Sequence, residues 1–154
     1  MSENFQLFSI GRIIKRKSTC RIEVDEKYQD AFLGLDQFSH IDVLYWLHEN
    51  DHPAGRGVLR VHPRGDKANP LTGVFATHSP LRPNPIAVTR CRILAVAGST
   101  ITIDAIDARD GSPLLDIKAH IPPRDETEEI RVPEWVKKNR GFKDSRGQGF
   151  EGKK

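Results

Sequence analysis

Two cysteines in 154 residues are too few for a disulfide scaffold, and the spacing of Cys20 and Cys91 fits no zinc knuckle. Both read as reduced packing residues, the usual state in the cytosol. No apolar run approaches the roughly 20 residues that a membrane-spanning helix needs. The N-terminal residues MSENFQLFSI lack the basic-then-apolar pattern of a secretory signal. Helical periodicity is also scarce. With 37% hydrophobic residues, what remains is enough for one globular core in a soluble, cytoplasmic protein with no membrane segment.

Alternation of apolar and polar residues is what the chain has in quantity. Ile10 to Ile14, Cys20 to Val24, Ile41 to Leu47, Val58 to Val61, Val74 to Ala76, Ile86 to Val96 and Ile101 to Ile106 read as strands, rich in β-branched residues and bounded by Gly, Pro or Asp. Gly98-Ser99 is the turn of the clearest hairpin. Leu114 to Lys118 suggests an eighth, short edge strand. Glu26 to Leu35 is the one fair helix, with Tyr28, Ala31, Phe32 and Leu35 on one face. The expectation is a mainly β single domain of about seven strands with one or two short helices, a small barrel or a sandwich.

The formal net charge of +3 is unevenly distributed. Residues 137–154 carry seven cations against Asp144 and Glu151, a charge of +5, which leaves −2 on residues 1–136. The expected division is therefore a folded domain over 1–136 and a flexible, basic, Gly-rich tail over 137–154. Such a tail suits loose contact with RNA phosphates, or simply a solvated end.

The most informative segment is Gly73 to Val88, GVFATHSPLRPNPIAV. Pro80, Pro83 and Pro85 fix φ and push the residues before them towards extended conformations, so the loop has little freedom to lose. Thr77, His78, Ser79, Arg82 and Asn84 then present hydroxyls, an imidazole, a planar cation and an amide. That combination fits a small polar or anionic ligand, or a plain turn between strands.

The same residues resemble the TrmO/TsaA-like family. Gly73-Val74-Phe75-Ala76-Thr77, Ser79-Pro80, Arg82-Pro83-Asn84-Pro85-Ile86, Asp110-Gly111-Ser112-Pro113, Asp116-Ile117-Lys118 and Ile121-Pro122 carry the likeness, with Phe38-Ser39-His40 as a further block, from about Ile10 to Pro122. The resemblance implies a compact β-barrel that forms a homodimer, and a methyltransferase that uses S-adenosylmethionine to methylate N6 of threonylcarbamoyladenosine beside the tRNA anticodon. It implies a cofactor pocket bordered by His48 and Glu49 and by Thr77, His78, Ser79, Arg82, Asn84, Pro85 and Val88. Ala108, Asp110 and Gly111 complete that pocket, and Asp116 with Lys118 forms the catalytic pair. His78 stands where most members carry arginine, and Ala119-His120 replaces a Pro-Tyr pair. The alternative is an S-adenosylmethionine-binding methyltransferase or sensor for a non-tRNA substrate.

Two other motif matches fail on context. His48-Glu49-Asn50-Asp51-His52 satisfies H-E-x-x-H, but Pro53 and weak helix formers argue against the helix a zinc site needs. Gly147 to Gly152 matches G-x-G-x-x-G without a strand before it or a helix after it. No metal is expected.

Methyl transfer from a sulfonium depends mainly on positioning. An exocyclic adenine nitrogen is a poor nucleophile, however, so a nearby acceptor should take its proton. Asp116 is the first candidate, ahead of Asp110, His78 and His40, with Lys118 and Arg82 orienting anionic groups of the substrate.

Overall fold

The computed structural model describes residues 3–123 and 130–140. Six strands close a barrel in the order β1-β2-β7-β6-β3-β8. They are β1 (Gly11–Arg16), β2 (Thr19–Val24), β3 (His40–Trp46), β6 (Ile86–Ala97), β7 (Thr100–Ile103) and β8 (Pro113–Ala119). A separate two-stranded ladder, β4 (Arg60–Val61) with β5 (Thr72–Gly73), lies in the connection from β3 to β6, after the short helix α1 (Pro53–Arg56). Among the described residues, no helix is long and apolar enough to cross a membrane.

Alternation places every second side chain inside the barrel. Ile13, Ile22, Ile41, Val43, Tyr45, Cys91, Ile101, Ile103 and Leu114 are buried there. Ile106 and Ala108, from the β7–β8 connection, join the same cluster. Gly11 allows β1 to cross close to β2, because a Cβ there would run into the Glu23 carbonyl oxygen. At the β6–β7 hairpin, Gly98 takes φ +58 at the first central position of the two-residue turn, as that turn type requires.

Three sequence expectations need correction. Leu114 to Lys118 is part of no edge: β8 pairs with β3 on one side and β1 on the other, and this closes the barrel. Val74–Ala76 is a 3-10 turn, held by the Thr77 amide bonding to the Val74 carbonyl at 3.1 Å. Glu26 to Leu35 is no single helix, because Gly34 at φ +83 separates a 3-10 helix over Glu26–Phe32 from another over Leu35–Gln37. Tyr28, Phe32 and Leu35 still pack against the core, while Ala31 is exposed. The strands expected at 58–61 and 101–106 are shorter, Arg60–Val61 and Thr100–Ile103.

Residues 121–154 form a second unit, described by α2 (Glu134–Arg140), in which Lys137 Nζ bonds Glu134 at 2.7 Å. The basic tail thus starts inside α2. Residues 141–154, including the G-x-G-x-x-G match, lie outside the described residues.

The tip of the β4–β5 ladder is internally knitted. His62 Nδ1 meets the Asn69 carbonyl at 2.8 Å, Asn69 Nδ2 donates to the Pro63 carbonyl at 3.0 Å, and the Ala68 amide donates to Asp66 at 2.8 Å. Arg64 takes φ +62 in this tip and is the one non-glycine residue with positive φ among those described. For an L-residue that conformation costs roughly 1 kcal/mol.

Candidate functional site

One end of the barrel gathers most of the chain segments that the sequence singles out, while His40, at the start of β3 opposite Arg92, lies at the other end. Antiparallel pairing brings Trp46, near the end of β3, beside Ile86 at the start of β6. It also brings Tyr45 beside Leu114 at the start of β8. The Leu47 amide extends the ladder to the carbonyl of Pro85, which is fully buried, at 2.7 Å.

Within the proline-rich loop, three of the expected ligand side chains turn inward on the loop itself. Thr77 Oγ1 donates to the Val74 carbonyl (2.9 Å) and accepts from the Ser79 amide (3.1 Å). Ser79 Oγ accepts from the Leu81 amide at 3.3 Å. Arg82 Nη1 donates to the carbonyls of Thr77 (3.3 Å) and Ser79 (3.2 Å). These bonds stiffen the loop beyond what the prolines impose. The exposed side chains of His78 and Asn84 have no hydrogen-bond partner among the described residues, so they are the loop groups open to a ligand.

The loop is pinned from outside by Arg56, a residue no sequence pattern singles out. Its Nη1 donates to the Pro83 carbonyl (3.1 Å), its Nε meets Asp51 (2.6 Å), and its guanidinium lies 5.5 Å from the Trp46 ring centre. Trp46 Nε1 donates to the other Asp51 oxygen at 2.9 Å. The Arg56 bond, then that of Trp46, holds the Asp51 carboxyl below its ordinary pKa. His52 caps α1 by accepting from the Gly55 amide at 3.0 Å. His48 lies in a 3-10 turn over His48–Asn50, so the H-E-x-x-H pair does not share one face of an α-helix.

The β7–β8 connection supplies the third block. Tyr45, whose burial pushes its phenol up, donates to the Asp107 carbonyl at 2.7 Å and accepts from the Thr89 hydroxyl at 3.1 Å. Arg109 Nε then reaches Glu49 at 3.3 Å. This ion pair links the turn after β3 to the connection. Asp110 faces β1, where it accepts from the Lys15 amide (2.8 Å) and Arg16 (2.9 Å), and these bonds, the Lys15 amide foremost, keep its carboxyl below the usual range. Gly111 takes φ +79 in the turn closed by the Ser112 amide on the Arg109 carbonyl. Ala108 is packed in the core, so it offers a ligand its main chain rather than its side chain.

Asp116 and Lys118 share the outer face of β8, as alternation predicts, and their charged atoms lie 3.4 Å apart. On the wall of the barrel Leu44 sits between Val88 and Asp116. One repeat further from that end of the barrel, Asp42 sits between Arg90 and Lys118. Asp42 also meets His120 Nδ1 at 3.1 Å and Arg90 Nε at 3.5 Å, and the His120 bond is the main cause of its lowered pKa. The sequence reading did not anticipate this pair, nor the open apolar cleft of about 300 Å³ beside Trp46, bounded by Phe5, Leu7, Pro113 and Leu115.

A closed six-stranded barrel with a proline-stiffened loop, an Asp-Gly turn and an acid-lysine strand converging on one end and its adjoining wall defines a β-barrel domain with a candidate ligand site there. Residues 10–126 match the model of the tRNA-methyltransferase O N-terminal domain, and the chain belongs to that family. It is 43% identical over 116 residues to a probable S-adenosyl-L-methionine-binding protein of Pyrococcus horikoshii, covering 75% of this chain and 82% of the relative. A human tRNA (adenine(37)-N6)-methyltransferase is 37% identical over 105 residues, 68% of this chain and 23% of that protein. A TrmO crystal structure superposes with a TM-score of 0.64 at 26% identity, over 84% of this chain and 64% of that one. For TrmO from Pseudomonas aeruginosa the TM-score is 0.63 at 24% identity, over 84% of this chain and 62% of that one. The chain therefore spans less than two-thirds of the length of those solved structures.

Proposed function

We propose that this chain binds S-adenosylmethionine at the ligand end of the barrel and methylates N6 of threonylcarbamoyladenosine next to the tRNA anticodon. The observation that carries the reading is the meeting of three sequence-distant blocks there: His48 and Glu49, the loop 77–85, and the turn 108–111. Family membership supports the same reading.

S-adenosylmethionine supplies an activated methyl group when bound. The chain's own part is to hold and orient. His78 and Asn84 offer free polar groups from a rigid loop, and the main chain at 108–111 offers amides and carbonyls in a tight turn. Asp116 accepts the proton that leaves N6, and Lys118, 3.4 Å away, steadies the carboxylate and orients anionic groups of the substrate.

The pairing of two copies belongs to this proposal. Ile86 and Val88 lie on the outer wall beside the site, 37% and 54% exposed, and a second copy would cover them. A cytoplasmic location follows from a tRNA substrate.

The decisive experiment is mass spectrometry of tRNA nucleosides from a strain lacking the gene, with and without the protein restored. Loss of methylated threonylcarbamoyladenosine, recovered with the protein, is the expected result. An undiminished methylated peak in the deletion strain would exclude this substrate and favour a non-tRNA acceptor, the role left open by relatives named only for binding S-adenosylmethionine.

A further inference from the structure

Residues 56–75, which include the β4–β5 ladder, carry Arg56, Arg60, Arg64 and Lys67 against the single acid Asp66, a charge of +3 equal to that of the whole chain. The remainder of the protein is thus neutral in sum. Residues 12–21 also carry five cations and no acid, but four of them are engaged: Arg12 and Lys15 on the carbonyls of Gly111 and Ile106, Arg16 on Asp110 and Arg21 beside Glu23. Arg56 is engaged with Asp51. Arg60, Arg64 and Lys67 are exposed, and among the described residues none of the three pairs with a carboxylate.

The tip is a built platform rather than a loose loop. His62, Asn69 and Asp66 direct their polar groups inward on the tip's own backbone, which leaves the cations on its outside. Arg64 stands at φ +62, where the turn would be more comfortable with glycine or asparagine. An unfavourable backbone conformation kept by an arginine points to a use for its side chain. The excursion ends in Phe75, an aromatic ring that is 82% exposed and lies two residues before the ligand loop begins at Thr77.

We propose that this hairpin is the RNA-docking arm of the protein: Arg60, Arg64 and Lys67 grip backbone phosphates of the tRNA, and Phe75 stacks on an unpaired base next to the ligand loop. The proposal rests on the tRNA reading above and adds the surface that delivers the base. Phosphate contacts release counterions and set register without reading sequence. An exposed aromatic supplies a stacking platform suited to splayed single-stranded loop bases.

The test measures binding of an unmodified tRNA transcript across salt concentrations to the full chain and its variants. For Arg60→Ala/Arg64→Ala/Lys67→Ala, the slope of log affinity against log salt should fall by about 2. Over a fourfold rise in salt, wild-type affinity would then drop roughly 15-fold more than that of the variant. Phe75→Ala should weaken binding about tenfold with the slope unchanged. Arg64→Gly is the second variant, because it relieves the backbone: its thermal midpoint should equal or exceed that of the wild type while its RNA affinity falls.

Wild-type tRNA binding with slopes and affinities unaltered in all three variants would overturn the docking arm and leave the tRNA reading standing. A wild-type protein that binds no tRNA at low salt would overturn both.

Discussion

Arg56 donates to the main-chain oxygen of Pro83 at 3.1 Å, so a residue of the first helix fixes the middle of the proline-rich loop. Replacing it with Ala removes that bond, strands the Asp51 carboxylate and uncovers one side of Trp46. Arg56→Ala should lower stability by about 1–2 kcal/mol and weaken S-adenosylmethionine binding. Arg56→Lys should recover little, because one ammonium cannot reproduce the fork. Thermal unfolding and calorimetry measure the two effects, and unchanged affinity in both variants would show that the loop holds its shape without Arg56.

Asn84 and Arg82 should separate. Asn84→Ala removes an exposed group without an internal partner, so ligand affinity should drop with little change in thermal midpoint. Arg82→Ala releases the carbonyls of Thr77 and Ser79, so both quantities should fall. Equal loss of stability in the two variants would contradict the division of roles.

Asp116→Asn should reduce the methylation rate by about 10²–10⁴-fold while S-adenosylmethionine affinity stays near wild type. A loss of affinity with an unchanged rate would remove Asp116 from the proton transfer. The check is single-turnover methylation of tRNA beside calorimetry of the cofactor alone.

Asp42, Asp51 and Asp110 each hold a folded pKa below the ordinary carboxylate value, through His120, Arg56 and the Lys15 amide respectively. The unfolded chain therefore binds more protons than the folded one near about pH 4. Their contribution to stability is complete above the unfolded pKa and is lost as pH falls through the folded values. In Asp51→Asn the acid limb of the stability curve should be shallower than in wild type. An identical limb would mean that Asp51 titrates alike in both states.

Burial pushes the Cys91 thiol up to about 12, and its thiolate is accordingly scarce at neutral pH. A thiol reagent should modify Cys20, which is partly exposed, long before Cys91. Denaturant should make the second thiol reactive, and rapid native modification of both would contradict the buried placement.

The strands were legible wherever alternation ran without interruption, as in β2, β3 and β6, and the Gly98-Ser99 turn was marked by its glycine. Local pattern failed where the outcome depended on a distant partner. β8 reads as an edge strand from its own residues, and only β1, about a hundred positions earlier in the chain, closes the barrel against it. Gly34 interrupts an apparently periodic stretch because its positive φ ends the turn before it. At the candidate site, composition marked the proline-rich loop and the Asp-Gly segment as stiff turns, and only the family resemblance marked them for ligand binding. Arg56 could not, since its value comes from meeting Pro83, Asp51 and Trp46 at once. The Asp42–His120 pair likewise exists only through the register of β3 with β8.

The ladder joining β1 to β8 has two register pairs, against seven between β3 and β6. Beyond it the seam continues through Asp110 on Lys15 and Gly111 on Ile13, in the same turn that the proposed site includes. Amides along this seam should therefore be the first in the barrel to exchange with deuterium. Occupation of the turn would slow them, so that the ligand acts as a clasp on the barrel wall.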